Sequence, residues 1–173
     1  TAQQMEDATT YRAYRCRLYP KPHQEAYFKR MFSCCRTVYN HFLEVRMTAY
    51  EERKADPSVR VPSRFDMCRM LTSYKKTETD KDGRAYLKDV DSTALVYEIQ
   101  HLDDAFRRFF QRMRKGSRDA GYPRFKGRGD KDSCTISYKR KDFIEKNKIK
   151  FAKIGWVNAS VWREIEGEPI SCT

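Results

Sequence analysis

Apolar residues recur at helical spacing in the first third of the chain. Read at 100° per residue, one face carries Phe28, Met31, Phe32, Cys35, Val38, Tyr39 and Phe42. Pro22 suits a first helical turn, and Pro57 ends a helix at the residue before it. The pattern therefore predicts a long amphipathic helix over residues 22–54.

A polar ridge runs beside this apolar stripe, at steps of four, three and four residues. Its members are Lys29, Ser33, Arg36 and Asn40. Cations along one margin of a core helix are typical of a scaffold that faces a phosphate backbone. Arg46 interrupts the apolar stripe further along, which indicates a groove or an acidic partner at that point.

A second apolar seam repeats at steps of four and three and can pack against the first helix. It consists of Leu95, Ile99, Leu102, Phe106, Phe109 and Met113. Asp91 or Ser92 can cap the start of this second long helix, and Gly116 suits the position after its end. Between the long helices, Ser63 and Asp66 fit a capping box for a short helix.

Alternating patterns at both ends of the chain predict β-strands. Over residues 11–19, Tyr14, Cys16 and Leu18 share one face, with Arg15 and Arg17 on the other. Further strands are predicted over residues 134–139, 148–152, 161–165 and 170–172, which would form a small barrel or a curved sheet. The chain stops inside the last of these strands, which we interpret as a truncation.

The most basic segment, residues 116–132, contains four glycines and is called the basic loop below. Tyr122 and Phe125 are interleaved there with Arg124, Lys126 and Arg128. Aromatic rings among cations can stack on nucleobases while the cations bind phosphates. Alternatively, the two rings anchor the loop to the core. The sequence favours neither alternative.

Charge points to a polyanionic partner. The chain has 173 residues and a formal net charge of +12, and residues 105–150 hold 16 Lys and Arg against five Asp and Glu. Such a concentrated basic stretch is typical of nucleic-acid-binding proteins. A hydrophobic content of 39% with 13% aromatic residues argues against a disordered chain.

Other classes of protein are disfavoured. The six cysteines show no Cys-x-x-Cys spacing and the three histidines lie at unrelated positions, so the sequence offers no zinc site. Free thiols suit a reducing compartment, and no run of eighteen apolar residues is present. We therefore expect a cytoplasmic protein with no membrane partner.

Six segments, in this order and spacing, resemble the TnpB (OrfB) proteins of bacterial insertion sequences. They are residues 14–20 (YRCRLYP), 35–43 (CRTVYNHFL), 87–95 (LKDVDSTAL), 102–110 (LDDAFRRFF), 121–126 (GYPRFK) and 149–157 (IKFAKIGWV). The resemblance covers residues 11–173 and concerns the N-terminal part of these proteins, which are compact relatives of type V CRISPR effectors.

The resemblance implies the recognition portion of an RNA-guided DNA endonuclease, with guide RNA and double-stranded target DNA as partners. It implies an α+β fold, with a helical recognition domain inserted after the first strand of a small oligonucleotide-binding-like β-barrel (the wedge), incomplete at its C-terminus. The expected divisions are a flexible tail over residues 1–10, the first wedge strand over 11–20, the helical domain over 21–121 and the remaining barrel over 122–173.

The chemistry of the family lies in a RuvC-type nuclease domain that holds two divalent metals, expected to be magnesium, on acidic residues. No segment of this sequence matches that domain. We therefore expect no catalytic residue, metal site or cofactor in this chain, and no DNA cleavage by it alone. The nuclease domain or a second protomer remains open as a further partner.

Two sets of candidate site residues follow. Nucleic-acid contacts are assigned to Arg15, Arg17, Lys29, Arg36, Asn40, Arg107, Arg108, Arg112, Arg124, Lys126 and Arg128. Asn40 can instead cap a neighbouring loop. The resemblance places the reading of a target-adjacent DNA motif at Ser63, Arg64, Phe65, Ser92, Val96, Tyr138 and Lys139. Relatives often carry Lys or Gln at the positions of Ser92 and Val96, so the motif itself stays open.

Two alternative functions remain. A nuclease-deficient relative would bind DNA under RNA guidance and repress transcription. A guide-independent basic module would bind RNA or DNA by charge and shape, with an affinity that falls steeply as salt rises.

Overall fold

The computed structural model describes residues 10–117, 121–138, 143–163 and 165–173. Its helices are α1 (Pro22–Ala55), α2 (Arg64–Thr77), a 3-10 helix (Tyr86–Asp89) and α3 (Ser92–Arg114). Its strands are β1 (Arg17–Tyr19), β2 (Ile136–Ser137), β3 (Ile144–Glu145), β4 (Lys148–Phe151), β5 (Gly155–Ser160) and β6 (Ser171–Cys172). The tail expected over residues 1–10 lies, except for Thr10, outside the described residues.

The predicted helix ends are confirmed, and local chemistry explains them. Pro22 lies in the first turn of α1, and the helix ends at Ala55, just before Asp56 and Pro57. The Ser63 side chain accepts a hydrogen bond from the Asp66 backbone N–H, which caps α2. Asp91 accepts one from the backbone N–H of Thr93 at 2.7 Å and so caps α3.

The helical core forms where the two apolar seams meet. From α1, Met31, Cys34, Cys35, Val38, Phe42 and Leu43 are buried, and from α3, Leu95, Ile99, Leu102 and Phe106 are buried. The packing of α1 on α3 is thus confirmed, but the seam ends one turn earlier than predicted. Phe109 is only half-buried, against Tyr122 of the basic loop, and Met113 is exposed.

The strands form two antiparallel sheets. The larger sheet has the order β1-β5-β4-β3, and β2 pairs with β6 in the smaller one. The α+β class is therefore confirmed, whereas the strands of the described residues do not close into a barrel. The strand predicted over residues 11–19 forms only as β1, where the half-buried Leu18 lies between the exposed Arg17 and Tyr19. The predicted alternation also holds in β4, where Ile149 and Phe151 are buried.

The strand predicted over residues 161–165 is wrong. The chain turns tightly after Phe151, and Gly155 with a φ of 69° ends the turn directly opposite it. Strand β5 therefore begins at Gly155 and is complete at Ser160. Glycine adopts this left-handed conformation without strain, so Gly155 can both end the turn and begin the strand. The sequence predicts Gly155 only as a turn residue.

The order of strand, helices and further strands is confirmed. The three α-helices lie between β1 and β2 in the chain, yet β1 pairs with β5, with Arg17 opposite Ser160. Gln24 in the first turn of α1 donates a hydrogen bond to the backbone carbonyl of Trp156 at 2.9 Å. The start of α1 is thus attached to the larger sheet. The division into domains stays a prediction.

Candidate nucleic-acid interface

The basic loop is fixed to α1 by the side chain of Asn40. The Asn40 amide nitrogen donates to the carbonyl of Lys126 at 2.9 Å, and the Asn40 carbonyl oxygen accepts from the Lys126 backbone N–H at 2.8 Å. Both polar groups of the amide are therefore used within the fold. The cap on a neighbouring loop, one of the two alternatives for Asn40, is thus observed, and its assignment as a nucleic-acid contact stays a prediction.

A buried carboxylate holds the side chain of the same loop residue. Lys126 Nζ donates to Glu98 Oε2 at 2.6 Å and lies 4.3 Å from the centre of the Tyr39 ring. Glu98 has 0% of its surface exposed. Burial of a lone carboxylate is very costly unless a cation accompanies it, so the contact is structural. The assignment of Lys126 as a phosphate contact stays a prediction, since its ammonium group already pairs with Glu98.

Sequence reasoning missed Glu98, although a signal was present. Glu98 lies between Leu95 and Leu102 on the apolar face of α3, where a charged residue is unexpected. Arg46 on α1 gave the same kind of signal. It bonds Asp103 of α3 at 2.9 Å and the Pro62 carbonyl at 3.1 Å, so the expected acidic partner is a residue of this chain.

Further contacts hold both ends of the loop. Arg36 of the polar ridge forms an ion pair with Asp132, and the backbone N–H of Gly127 donates to Asp130 at 2.6 Å. The ring of Tyr122 packs edge-on against Phe106 and Phe109, with ring centres 5.5 and 5.1 Å apart. Tyr122 is thus an anchor to the helical core.

The two aromatic residues of the basic loop, Tyr122 and Phe125, differ in their surroundings. Tyr122 anchors the loop, whereas Phe125 is 53% exposed beside the anchored Lys126. An exposed ring in a loop of cations has the position that stacking on a nucleobase requires.

The exposed arginines separate into two groups. Within the described residues, no ion pair is formed by Arg15, Arg17, Arg108, Arg112, Arg124 or Arg128. Arg108 and Arg112 belong to the end of α3, and Arg124 and Arg128 to the basic loop beside it. Arg17 begins β1 in the larger sheet, and Arg15 lies two residues before that strand. The arrangement presents an arginine surface made of the α3 end and the loop.

The other cations of the predicted set are partly neutralised. Arg107 pairs with Asp103 at 3.3 Å and with Asp104 at 3.5 Å, and Lys29 pairs with Glu25 at 2.7 Å. All of these side chains keep some exposure to solvent, so a phosphate can replace the carboxylate at modest cost. Their role in nucleic-acid contacts stays a prediction.

The thiols show no features of a nucleophile or a metal site. Burial raises the pKa of Cys34 to about 11 and the pKa of Cys134 to about 12. Both thiols are therefore protonated at neutral pH, and a protonated thiol neither attacks nor binds a metal well. In the described part of the chain, no three His, Cys, Asp or Glu side chains are grouped so that they could hold a metal ion.

Comparison with known proteins decides the family. The family model described as a helix-turn-helix domain, of the OrfB proteins of IS605, matches residues 5–55. A protein of Streptomyces pristinaespiralis named as an RNA-guided DNA endonuclease is 36% identical over 138 residues, 79% of this chain and 30% of that protein. Virulence protein VsdF of Salmonella dublin is 31% identical over 117 residues, 66% of this chain and 92% of VsdF. The chain belongs to the TnpB (OrfB) family.

A further TnpB-type relative extends the match. InsQ of Escherichia coli K12, also named as an RNA-guided DNA endonuclease, is 28% identical over 156 residues, 90% of this chain and 35% of InsQ. The chain thus spans about a third of the length of these two relatives. The predicted membership in the TnpB family is confirmed.

None of the helices in the described residues is long and apolar enough to cross a membrane.

The structure brings two of the three motif-reading segments implied by the TnpB resemblance together. Ser92 and Val96 are exposed on the first turns of α3, and Thr93 Oγ1 accepts a hydrogen bond from the backbone N–H of Ser137 at 3.2 Å. This contact brings the neighbouring Tyr138 to the start of α3. Lys139 lies outside the described residues.

The third segment, Ser63 to Phe65, lies at the N-terminal end of α2, whereas Ser92 contacts Lys75 near the C-terminal end of that helix. Ser63 caps α2, and Phe65 in its first turn is 67% exposed, with the Arg64 guanidinium 5.0 Å from its ring centre. Ser92 accepts a hydrogen bond from Lys75, twelve residues further along, at 3.4 Å. At a rise of 1.5 Å per residue, Lys75 lies about 18 Å from Ser63 along α2.

Proposed function

We propose that this chain is the nucleic-acid-recognition portion of a TnpB-like RNA-guided DNA endonuclease. In this proposal it holds a guide RNA and contributes to the reading of double-stranded target DNA. The observation that carries the proposal is the anchored basic loop, which presents unpaired arginines in a chain that is 36% identical to a protein named as such an endonuclease. The relatives' activity is extended here to this chain.

The geometry supports a role in phosphate binding. Arg124 and Arg128 lie on either side of Lys126, whose backbone and ammonium group are both held by α1 and α3. Arginines on an anchored loop lose less conformational freedom when a phosphate binds than arginines on a mobile loop would. Phosphate contacts of this kind set affinity and orientation, and they carry no sequence information.

The proposal assigns separate parts to the helices and the sheets. The helices α1–α3 would form the recognition domain, and β1 with the later strands would form the wedge. The pairing of β1 with β5 across the intervening helices supports this assignment. Reading of the target-adjacent motif would use the exposed first turns of α3 together with Tyr138, with Phe65 engaging a more distant part of the duplex.

The nuclease chemistry is not assigned to this chain. Two-metal hydrolysis needs carboxylates that converge on the metals. The described residues provide no such cluster, so no cleavage step is derived from them. In the proposal, cleavage depends on a separate nuclease domain with magnesium.

The test is to sequence the RNA that copurifies with the full-length protein from its natural host. We expect one discrete RNA, enriched over total cellular RNA and encoded near the gene. RNA that mirrors the cellular pool would contradict the proposal and favour the guide-independent basic module. A single enriched RNA together with a nuclease domain whose catalytic carboxylates have been lost would identify the nuclease-deficient regulator.

A further inference from the structure

A cleft opens at the edge of the larger sheet, where two strands separate. The β1–β5 ladder ends at the pair Arg17 and Ser160, and the chain segments beyond that pair diverge around a space of 830 Å³. Sites for small ligands typically enclose about 300–1,000 Å³. Residues 12–16 line the cleft on one side, and residues 161–163 with Glu166 line it on the other.

Contacts within the chain close the far end of this cleft. The Arg12 guanidinium forms an ion pair with the Glu166 carboxylate, and the Glu166 backbone N–H donates to the Tyr14 hydroxyl at 3.3 Å. The cleft is thus bounded by the strand ladder at one end and by these contacts at the other. Glu166 is also the one acid among the described residues that line it, and Arg12 neutralises its charge.

The rest of the lining includes two further cations, Arg15 and Arg163, and an exposed indole. Trp162 is 82% exposed, and within the described residues its ring has no aromatic or cation–π partner. Arg15 and Arg163 are exposed and form no ion pair in the same part of the chain. Trp162, Arg15 and Arg163 all line the cleft, so it offers a flat apolar surface and positive charge within one space.

We propose that this cleft binds an unpaired nucleotide of a single-stranded nucleic acid. The base stacks on Trp162, and the flanking phosphates pair with Arg15 and Arg163. A polynucleotide supplies both a flat aromatic ring and adjacent negative charges, whereas an acidic peptide supplies only the charges. Base stacking on an aromatic side chain is tolerant of sequence, because every base has a π-face. The inference rests on the proposed nucleic-acid-binding function and deepens it, since Arg15 belongs to the predicted nucleic-acid contacts. The site uses none of the residues of the basic loop.

The test uses two variants with a single tryptophan each. Trp156→Phe leaves Trp162 as the fluorescent reporter, and Trp162→Phe leaves Trp156, whose ring lies 5.5 Å from Lys150, outside the cleft. Each protein is titrated with a uridine hexamer and, separately, with a deoxythymidine hexamer. We expect saturable quenching in Trp156→Phe and none in Trp162→Phe. Quenching by RNA alone, by DNA alone or by both supports the site and shows whether a guide or a DNA strand supplies the nucleotide.

Affinity provides a second readout that does not depend on fluorescence of the reporter. Anisotropy of a labelled hexamer should show about tenfold weaker binding to Trp162→Ala than to the native chain. Unchanged affinity in Trp162→Ala, or an unquenched Trp162 at saturating hexamer, would overturn the proposal. Neither hexamer contains a guide sequence, so failure here leaves the guide-RNA test untouched, and failure of that test leaves this site standing.

Discussion

Glu98 shows how one side chain can carry information that a charge count conceals. The residue lies on the apolar face of α3 with no exposed surface, and its carboxylate holds the ammonium group of Lys126 at 2.6 Å. The cation is therefore part of the fold even though it lies in the most basic segment of the chain. Removal of one member of such a pair leaves the other without its compensating charge.

We predict that Glu98→Ala lowers the free energy of unfolding by about 2 kcal/mol, measured by urea denaturation. The cost lies below that of a fully buried pair because Lys126 keeps 30% of its side chain exposed and can turn towards water. Glu44→Ala on the exposed side of α1 is the matched control, with an expected change within about 0.5 kcal/mol. Equal effects of the two substitutions would contradict a structural role for Glu98.

His41 makes stability depend on pH. Its ring stacks on Tyr74 of α2, with ring centres 3.7 Å apart, and burial lowers its pKa from the ordinary value of 6.5. The unfolded chain therefore binds more protons than the folded chain near and below pH 6.5, and the stability contributed by neutral His41 is lost as the pH falls through this region.

We predict a lower free energy of unfolding at pH 5.5 than at pH 7.5, with a smaller difference in His41→Phe. Phenylalanine keeps an aromatic ring against Tyr74 but does not titrate, so it removes the proton uptake on unfolding. Urea denaturation at both pH values measures the difference. An identical pH dependence in the native chain and the variant would show that His41 does not contribute.

At the scale of elements, the helices were far more predictable than the strands. A helix of 34 residues repeats its apolar period many times, and the caps at Ser63 and Asp91 mark helix starts by local chemistry. The strands contain two to six residues, so each offers at most three two-residue periods. Strands β3 and β5 were not predicted. The strand expected over residues 161–165 is absent, and β5 (Gly155–Ser160) ends just before that range.

The capping box of α2 allows a test at this scale. We predict that Ser63→Ala lowers the free energy of unfolding by about 1 kcal/mol, because the first turn loses the acceptor for the Asp66 N–H. Ser73→Ala, at an exposed position inside the same helix, should be close to neutral. Unchanged stability of Ser63→Ala with weaker DNA binding would show that Ser63 acts as a reader of the motif and not as a cap.

The candidate site was predictable only in part, and the reason is geometric. Sequence reasoning located the basic loop and its exposed arginines, because local charge density is visible along a chain. It assigned Asn40 and Lys126 to nucleic acid without showing their contacts inside the fold. Asn40 bonds Lys126, 86 residues away, and Lys126 bonds Glu98, 28 residues away. Contacts between positions so far apart leave no periodicity, so only the fold distinguishes an anchoring cation from a free one.

For the whole molecule, the uneven distribution of charge matters more than the total. The excess of cations between residues 105 and 150 is reduced at Lys126 by Glu98 and at Arg107 by two aspartates of α3. Arg108, Arg112, Arg124 and Arg128 remain unpaired within the described residues, on the end of α3 and the loop beside it. We therefore propose that this arginine surface is the main contact for guide RNA.

The most direct test of this claim is the affinity of the chain for the RNA that copurifies with the protein, compared with a scrambled RNA of equal length and composition. At about 150 mM salt we predict at least about tenfold tighter binding to the natural RNA, a difference of about 1.4 kcal/mol. The double variant Arg124→Ala/Arg128→Ala should weaken binding and lower the salt slope by about 1 for each phosphate that is no longer bound, whereas Arg53→Ala at the exposed end of α1 should not. Equal affinity for the two RNAs, with a salt slope unchanged by the double variant, would contradict the account.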